Sequence, residues 1–220
     1  LGDVYKRQPY VVLGAAILWF GWFGFNAGSQ LAADGIASMA FLVTNTAAAT
    51  AALTWGVVSQ IKNGKMGAVG VATGAVAGLV AITPAAGFVG IYGALAIGVG
   101  AGVLCFFAVD LINSTGLDDA LDVFAVHGIG GIWGAIATGI FAVEAIGGTA
   151  GLIEGNWKQV LIQFYAVAAT LVYSGVVTLV ILKILDLIPG LGLRASESDE
   201  NVGLDISQHG EQASVDDGAD

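Results

Sequence analysis

Between residues 10 and 188 the chain is a succession of apolar stretches interrupted by few charges, and this pattern leaves little choice of fold. A helix needs about 20 apolar residues to cross the hydrocarbon core of a bilayer. Six stretches approach or exceed that length: 10–29, 37–60, 67–82, 90–112, 121–143 and 160–188. The third is short and ends at Thr83 and Pro84, where proline, followed by Gly87, breaks a helix. Charged residues make up 11% of the chain, against about 25% in soluble domains, so a soluble core is excluded. No strand alternation or β-barrel spacing competes. The sequence predicts an all-α integral membrane protein with six transmembrane helices.

Glycine numbers 34, about twice its usual share, while proline numbers 3. That balance argues for closely packed helices, because small residues let helix backbones approach in a membrane. Gly70, Gly74 and Gly78 repeat every four residues, as do Gly24 and Gly28, and Gly130 and Gly134. Each series predicts a ridge on which another helix lies. The single Cys105 sits in an apolar segment, so there is no disulfide framework or zinc cluster, and it reads as a small buried hydrophobe.

The net charge of −10 belongs mostly to residues 191–220, where eight acidic residues face Arg194. Such a surface disfavours nucleic acid as a partner. The tail is read either as a solvated appendage or as a docking segment. If the six stretches alternate across the membrane, Lys6, Arg7, Lys62, Lys65, Lys183 and Arg194 share one side and Lys158 takes the other. The positive-inside rule then places both termini in the cytoplasm of a multi-pass cell-membrane protein. Residues 1–8 carry no initiating methionine and no signal-peptide pattern, and read as a non-native scar. Without Lys6 and Arg7 the bias persists. The expected organisation is a scar at 1–8, a transmembrane bundle at 9–190 and an acidic cytoplasmic tail at 191–220.

His127 lies inside the fifth stretch. Placing a titratable ring in hydrocarbon costs several kcal/mol unless a partner or polar cavity receives it. Its alternatives are a pathway residue and a histidine that hydrogen-bonds a neighbouring helix. Gly130, Gly131, Gly134 and Thr138 follow on the same helical side, a stripe suited to a narrow lumen or to a tight helix contact. Asp122 precedes His127 by five residues, about 140° around an α-helix, which weakens a same-helix dyad. Asp118, Asp119 and Asp122 cluster instead where carboxylates cap free N–H groups and suit the helix dipole.

Phe25 and Ser29, four residues apart at the end of the first stretch, share a helix face. A phenyl face beside a hydroxyl suits a small cation, and an interfacial aromatic belt is the other reading. No phosphate-binding loop, metal-ligand spacing, nucleophile elbow or metalloprotease helix is present, so no enzyme is expected. An intramembrane hydrolase using His127 lacks a nucleophile motif.

Four runs, in order, resemble the ammonium transporter (Amt/Mep/Rh) family on its Amt side: GWFGFNAGS at 21–29, TPAAG at 83–87, DVFAVHGIGG at 122–131 and GLDISQHGE at 203–211. The resemblance runs from about Pro9 to Ala213 and implies the last six spans of an eleven-span protein. It implies a homotrimer without cofactor or metal, with one pore per subunit between two inverted halves. Ser29 then corresponds to the vestibule serine that recruits ammonium, Phe25 to a gating phenylalanine, and His127 to the second of two facing pore histidines. Asp119 and Asp122 stand at the start of the pore helix. Gly203, Asp205, His209 and Gly210 match a cytoplasmic segment that packs on the neighbouring subunit, near where a PII-type regulator docks. The first pore histidine, the deprotonation-site aspartate, the vestibule tryptophan and a second gating phenylalanine belong to the family's amino-terminal half. The expected function is transport of ammonium, with methylammonium as analogue. The alternative is an ammonium sensor that signals through its tail.

Overall fold

The structure, a computed structural model, describes residues 8–211. Every regular element among them is helical: α1 Gln8–Gly28, α2 Gly35–Asn63, α3 Ala68–Ile82, α4 Ile91–Ser114, a π-helical turn Phe124–Gly128 running into α5 Ile129–Phe141, short α6 Glu144–Gly147, α7 Lys158–Asp186 and α8 Glu197–Val202. Helices satisfy their own backbone polar groups, which hydrocarbon demands. α1, α2, α4, α7 and the combined Phe124–Phe141 helix are long and apolar enough to cross a membrane. α3, with 15 residues, is shorter. It stops where expected, since Pro84 has no N–H and the Ala85 and Ala86 amides turn back to the Ile82 carbonyl. The scar expected at 1–8 lies outside the described residues except for Gln8, which already belongs to α1. Lys6 and Arg7 also lie outside the described residues.

The chain divides into a larger unit ending at Ala168 and a smaller one starting at Ala169. In the larger unit α2 is the axis, with Ala47, Ala48 and Ala51 fully buried. Gly70, Gly74 and Gly78 lay α3 on it, as their spacing predicts. A Cβ on Gly74 would lie 3.0 Å from the Ala51 carbonyl oxygen, and one on Gly78 would lie 2.5 Å from that of Ala47. Helix α4 uses the same device: a Cβ on Gly98 would come within 2.7 Å of the Ala47 oxygen, and one on Gly102 within 2.8 Å of the Ala51 oxygen. Gly130 packs near Cys105 and Val80, and Gly134 against the Ala81 carbonyl. At Gly24 and Gly28 a Cβ would meet nothing within 4 Å among the described residues. Helix α1 turns Trp22 and Asn26 towards the bundle and leaves those two glycines outside. Cys105 is fully buried, as its surroundings in the sequence predict.

Helix ends follow ordinary capping rules. The Asp34 carboxylate accepts from the Ala37 and Ile36 amides, both at 3.0 Å, and the Ala37 bond, then one donated by the Gln30 side chain, holds its carboxyl below the usual range. Gly64, at φ 74°, closes α2 in the left-handed conformation that glycine adopts freely. Just before it Lys62 pairs with Asp110 of α4 and lies over Phe106 and Phe107, 5.4 and 5.1 Å from the ring centroids.

In the smaller unit the tail folds back on itself. Ser196 caps α8 by accepting from the Asp199 amide at 3.2 Å, and Arg194 grips Glu200 through two bonds of 2.7 and 2.9 Å. A second π-turn, Asp205–His209, is tied back by Ser207 Oγ donating to the Asp199 carbonyl at 3.2 Å.

The α2–α3 seam makes a direct prediction. Gly78→Ala should lower the stability of the detergent-solubilised protein by about 1–3 kcal/mol, as expected for overpacking a filled site. Gly175→Ala in α7, where a Cβ meets nothing within 4 Å, should leave the thermal midpoint unchanged.

Candidate functional site: a histidine-walled apolar groove

The segment carrying His127 differs from the regular α-helix expected from residue 121. Helix begins only at Phe124, and its first turn is π-helical, with the Ile129 N–H reaching back to the Phe124 carbonyl. Such wide turns are often found at functional sites. Asp119 builds it: one carboxylate oxygen accepts from the Val123 amide at 2.8 Å, the other from Phe124 at 2.9 Å and Ala125 at 3.4 Å. Asp122 takes φ 54°, a left-handed conformation that aspartate tolerates, and its carbonyl accepts from the Val126 amide at 2.8 Å. Burial, and then the Asp119 charge, raise its carboxyl above the usual range. The 140° separation of Asp122 from His127 presumed a regular α-helix and does not apply across this turn.

The turn delivers the His127 ring to a groove of about 290 Å³ between α1 and α3. Val11, Gly14, Ala15 and Leu18 form one wall, Ala72, Thr73 and Val76 another, and Val126 the floor beside the histidine. Thr73 is the second polar side chain there, and its hydroxyl proton is engaged by the Val69 carbonyl at 3.0 Å. The His127 side chain is exposed to this groove, and its ring makes no hydrogen bond to any described residue. The glycine stripe beyond it resolves into two uses. Gly130 and Gly134 seat helix contacts, while Gly131 has nothing within 4 Å.

On α1, Val11, Leu18 and Phe25 recur every seven residues and so form one stripe that continues the groove wall. Phe25 is 59% exposed, and its ring meets Trp22 edge-on with centroids 5.6 Å apart. The Ser29 hydroxyl donates to the Phe25 carbonyl at 2.6 Å, which leaves its oxygen lone pairs free to accept. Ser29 lines a second cavity of about 360 Å³ with Asn26, Gln30, Ala40, Gly87 and Phe88. The structure thus gives His127 and Ser29 separate cavities, with Phe25 between them along α1. Asn26, absent from the sequence-based candidates, is 8% exposed and donates to Thr44 Oγ1 at 3.0 Å. A lone amide in an apolar helix was the signal available for it. In the smaller unit Gly203 and Gly210 adopt positive φ, 98° and 67°, at the two ends of the turn holding Asp205 and His209. No group of metal-binding side chains occurs among the described residues.

These features define a multi-pass helical membrane protein with a mostly apolar groove, one wall of which carries an imidazole that bonds to no described residue. The family model of the Ammonium Transporter Family matches residues 4–214, and the chain belongs to that family. It is 51% identical to ammonium transporter Amt1 of Archaeoglobus fulgidus over 205 residues, 93% of this chain and 52% of the relative. An ammonium transporter of Aquifex aeolicus is 53% identical over 209 residues, 94% of this chain and 49% of that protein. The crystal structure of Saccharomyces cerevisiae Mep2 superposes with a TM-score of 0.83 at 42% identity, covering 87% of this chain and 44% of Mep2. The chain spans about half the length of the curated relatives it matches.

Asp119→Ala should destabilise the turn by about 0.5–2 kcal/mol, the usual cost of losing a cap. Amide exchange at Val123, Phe124 and Ala125 should accelerate, with partial protection retained in Asp119→Asn.

Proposed function

We propose that this chain forms one wall of an ammonium pathway and that the protein it belongs to transports ammonium across the cell membrane. The observation that carries this reading is the His127 ring, bonded to no described residue, on the wall of a mostly apolar groove. A histidine serving only to join helices would be expected to spend its nitrogens on a neighbour.

Ammonium resembles potassium in size and charge, so a bare hole separates them poorly. Losing a proton before entry makes the moving solute neutral and avoids the several-kcal/mol cost of carrying charge through hydrocarbon. In this reading ammonium arrives near Ser29, where the hydroxyl oxygen accepts an N–H and the Phe25 face attracts the cation. Ammonia then moves along the apolar wall, and His127 offers it a donor on one nitrogen and an acceptor on the other. The proton follows separately. Asp119 and Asp122 anchor the turn that aims the ring.

The chain corresponds in this proposal to the last six spans of an eleven-span subunit, with α3 crossing as the short third one of the six. Both ends of the chain are cytoplasmic, supported by the lysine and arginine bias. Three subunits assemble, and the turn containing Gly203, Asp205, His209 and Gly210 contacts a neighbouring subunit close to where a PII-type regulator binds. The other pore wall lies in the part of the relatives that this chain does not span.

His127→Ala in the complete protein should cut methylammonium uptake by transporter-deleted cells about ten-fold, the worth of roughly one hydrogen bond. Membrane insertion should be intact by surface labelling. Wild-type uptake and selectivity would remove His127 from the pathway. Absent uptake in the wild type, with ammonium-dependent signalling through the tail, would favour a sensor.

A further inference from the structure

Trp22, one turn before Phe25, is bound to the end of α3. Its indole Nε1–H donates to Thr83 Oγ1 at 2.8 Å. The Thr83 hydroxyl proton goes in turn to the Leu79 carbonyl, also at 2.8 Å. That carbonyl needs it, because the Thr83 amide tightens onto Val80 at 3.2 Å in the last turn before Pro84. With its proton engaged, the hydroxyl can face Trp22 only as an acceptor, and the indole orientation follows from that polarity. The same indole meets the Phe25 ring edge-on, at 76° and 5.6 Å between centroids. Phe25 is 59% exposed, so few other contacts fix its rotamer.

We infer that Thr83 is a positioning residue for Phe25, acting through the Trp22 indole to hold the phenyl ring at the angle at which it meets an arriving ammonium ion. The inference rests on the reading of Phe25 as the gate. The helix break at Thr83 and Pro84 then has a use beyond ending α3. It brings a hydroxyl of fixed polarity to the level of the aromatic cluster, where a regular helix residue would have spent its backbone on the next turn. Two helices are thereby coupled at the point where selection occurs.

The test is methylammonium uptake by the complete transporter, with potassium as competitor. Thr83→Val keeps the branched shape and removes the hydroxyl, and Thr83→Ser keeps the hydroxyl. Trp22→Phe deletes the same bond from the other partner, so the bond remains testable if Thr83→Val fails to fold. Thr83→Val and Trp22→Phe should each raise KM roughly three- to ten-fold, the fold-change expected for one hydrogen bond, and increase inhibition by potassium. The maximal rate per transporter should stay within about two-fold, and Thr83→Ser should restore the wild-type KM. In a Phe25→Leu background the effect of Thr83→Val should vanish, since its route runs through that ring. A structural role alone would reduce the amount of protein in the membrane and leave KM unmoved.

Wild-type KM and potassium sensitivity in both Thr83→Val and Trp22→Phe would overturn the inference. So would a KM shift of equal size with and without Phe25→Leu. Wild-type behaviour of Phe25→Leu by itself would instead sink the gate reading on which the inference stands.

Discussion

The structure depends on backbone contact along α2. In a bilayer there is little hydrophobic gain from bringing one apolar helix to another, so association relies on dispersion and close fit. Glycine and alanine provide that fit here. The carbonyl oxygens of Ala47 and Ala51 are approached by glycines of both α3 and α4, at distances that admit no side chain. Helix α3 is too short to hold its place by length, and this seam fixes it. Because α3 forms one wall of the groove, the cavity facing His127 inherits its dimensions from glycine positions well outside it.

The imidazole itself is aimed by a local irregularity. A regular helix from residue 121 would place His127 by simple periodicity. The wide turn, tied down by Asp119 and by the left-handed Asp122, rotates it into the groove. A flexible surface loop would aim the ring poorly, whereas a capped turn with three amides on one carboxylate is rigid. The raised Asp122 carboxyl belongs to the same arrangement, since burial, and then the neighbouring Asp119 charge, disfavours its ionised form.

Much of this was legible in the sequence, for reasons that differ from element to element. The apolar stretches marked the helices because hydrocarbon length is a fixed yardstick. Gly70, Gly74 and Gly78 foretold the α3 seam because a four-residue repeat has one geometric meaning. The same repeat at Gly24 and Gly28 meets no described residue of this chain, because periodicity identifies a face and says nothing about what lies against it. The π-turn was invisible, since one extra residue in a helix leaves composition and spacing almost untouched. Asn26 bonding Thr44, and Trp22 bonding Thr83, are contacts between separate helices that no local pattern encodes. His127 stood out as chemistry incongruous with its surroundings, a signal that survives even when helix boundaries shift, whereas Phe25 rested on its spacing from Ser29 and on the family resemblance.

A four-residue glycine ladder has a drawback. It looks the same after sliding by one helical turn, about 5.4 Å, so it sets how near two helices come without setting their axial register. The ion pair between Lys62 and Asp110, with the lysine over Phe106 and Phe107, removes that degeneracy for α2 and α4. Near the other end of α4, Trp133 does so for α5 by donating to the Ile97 carbonyl at 2.9 Å. Close fit and alignment are therefore handled by different kinds of residue, and these few polar pins act as detents on an otherwise slippery bundle.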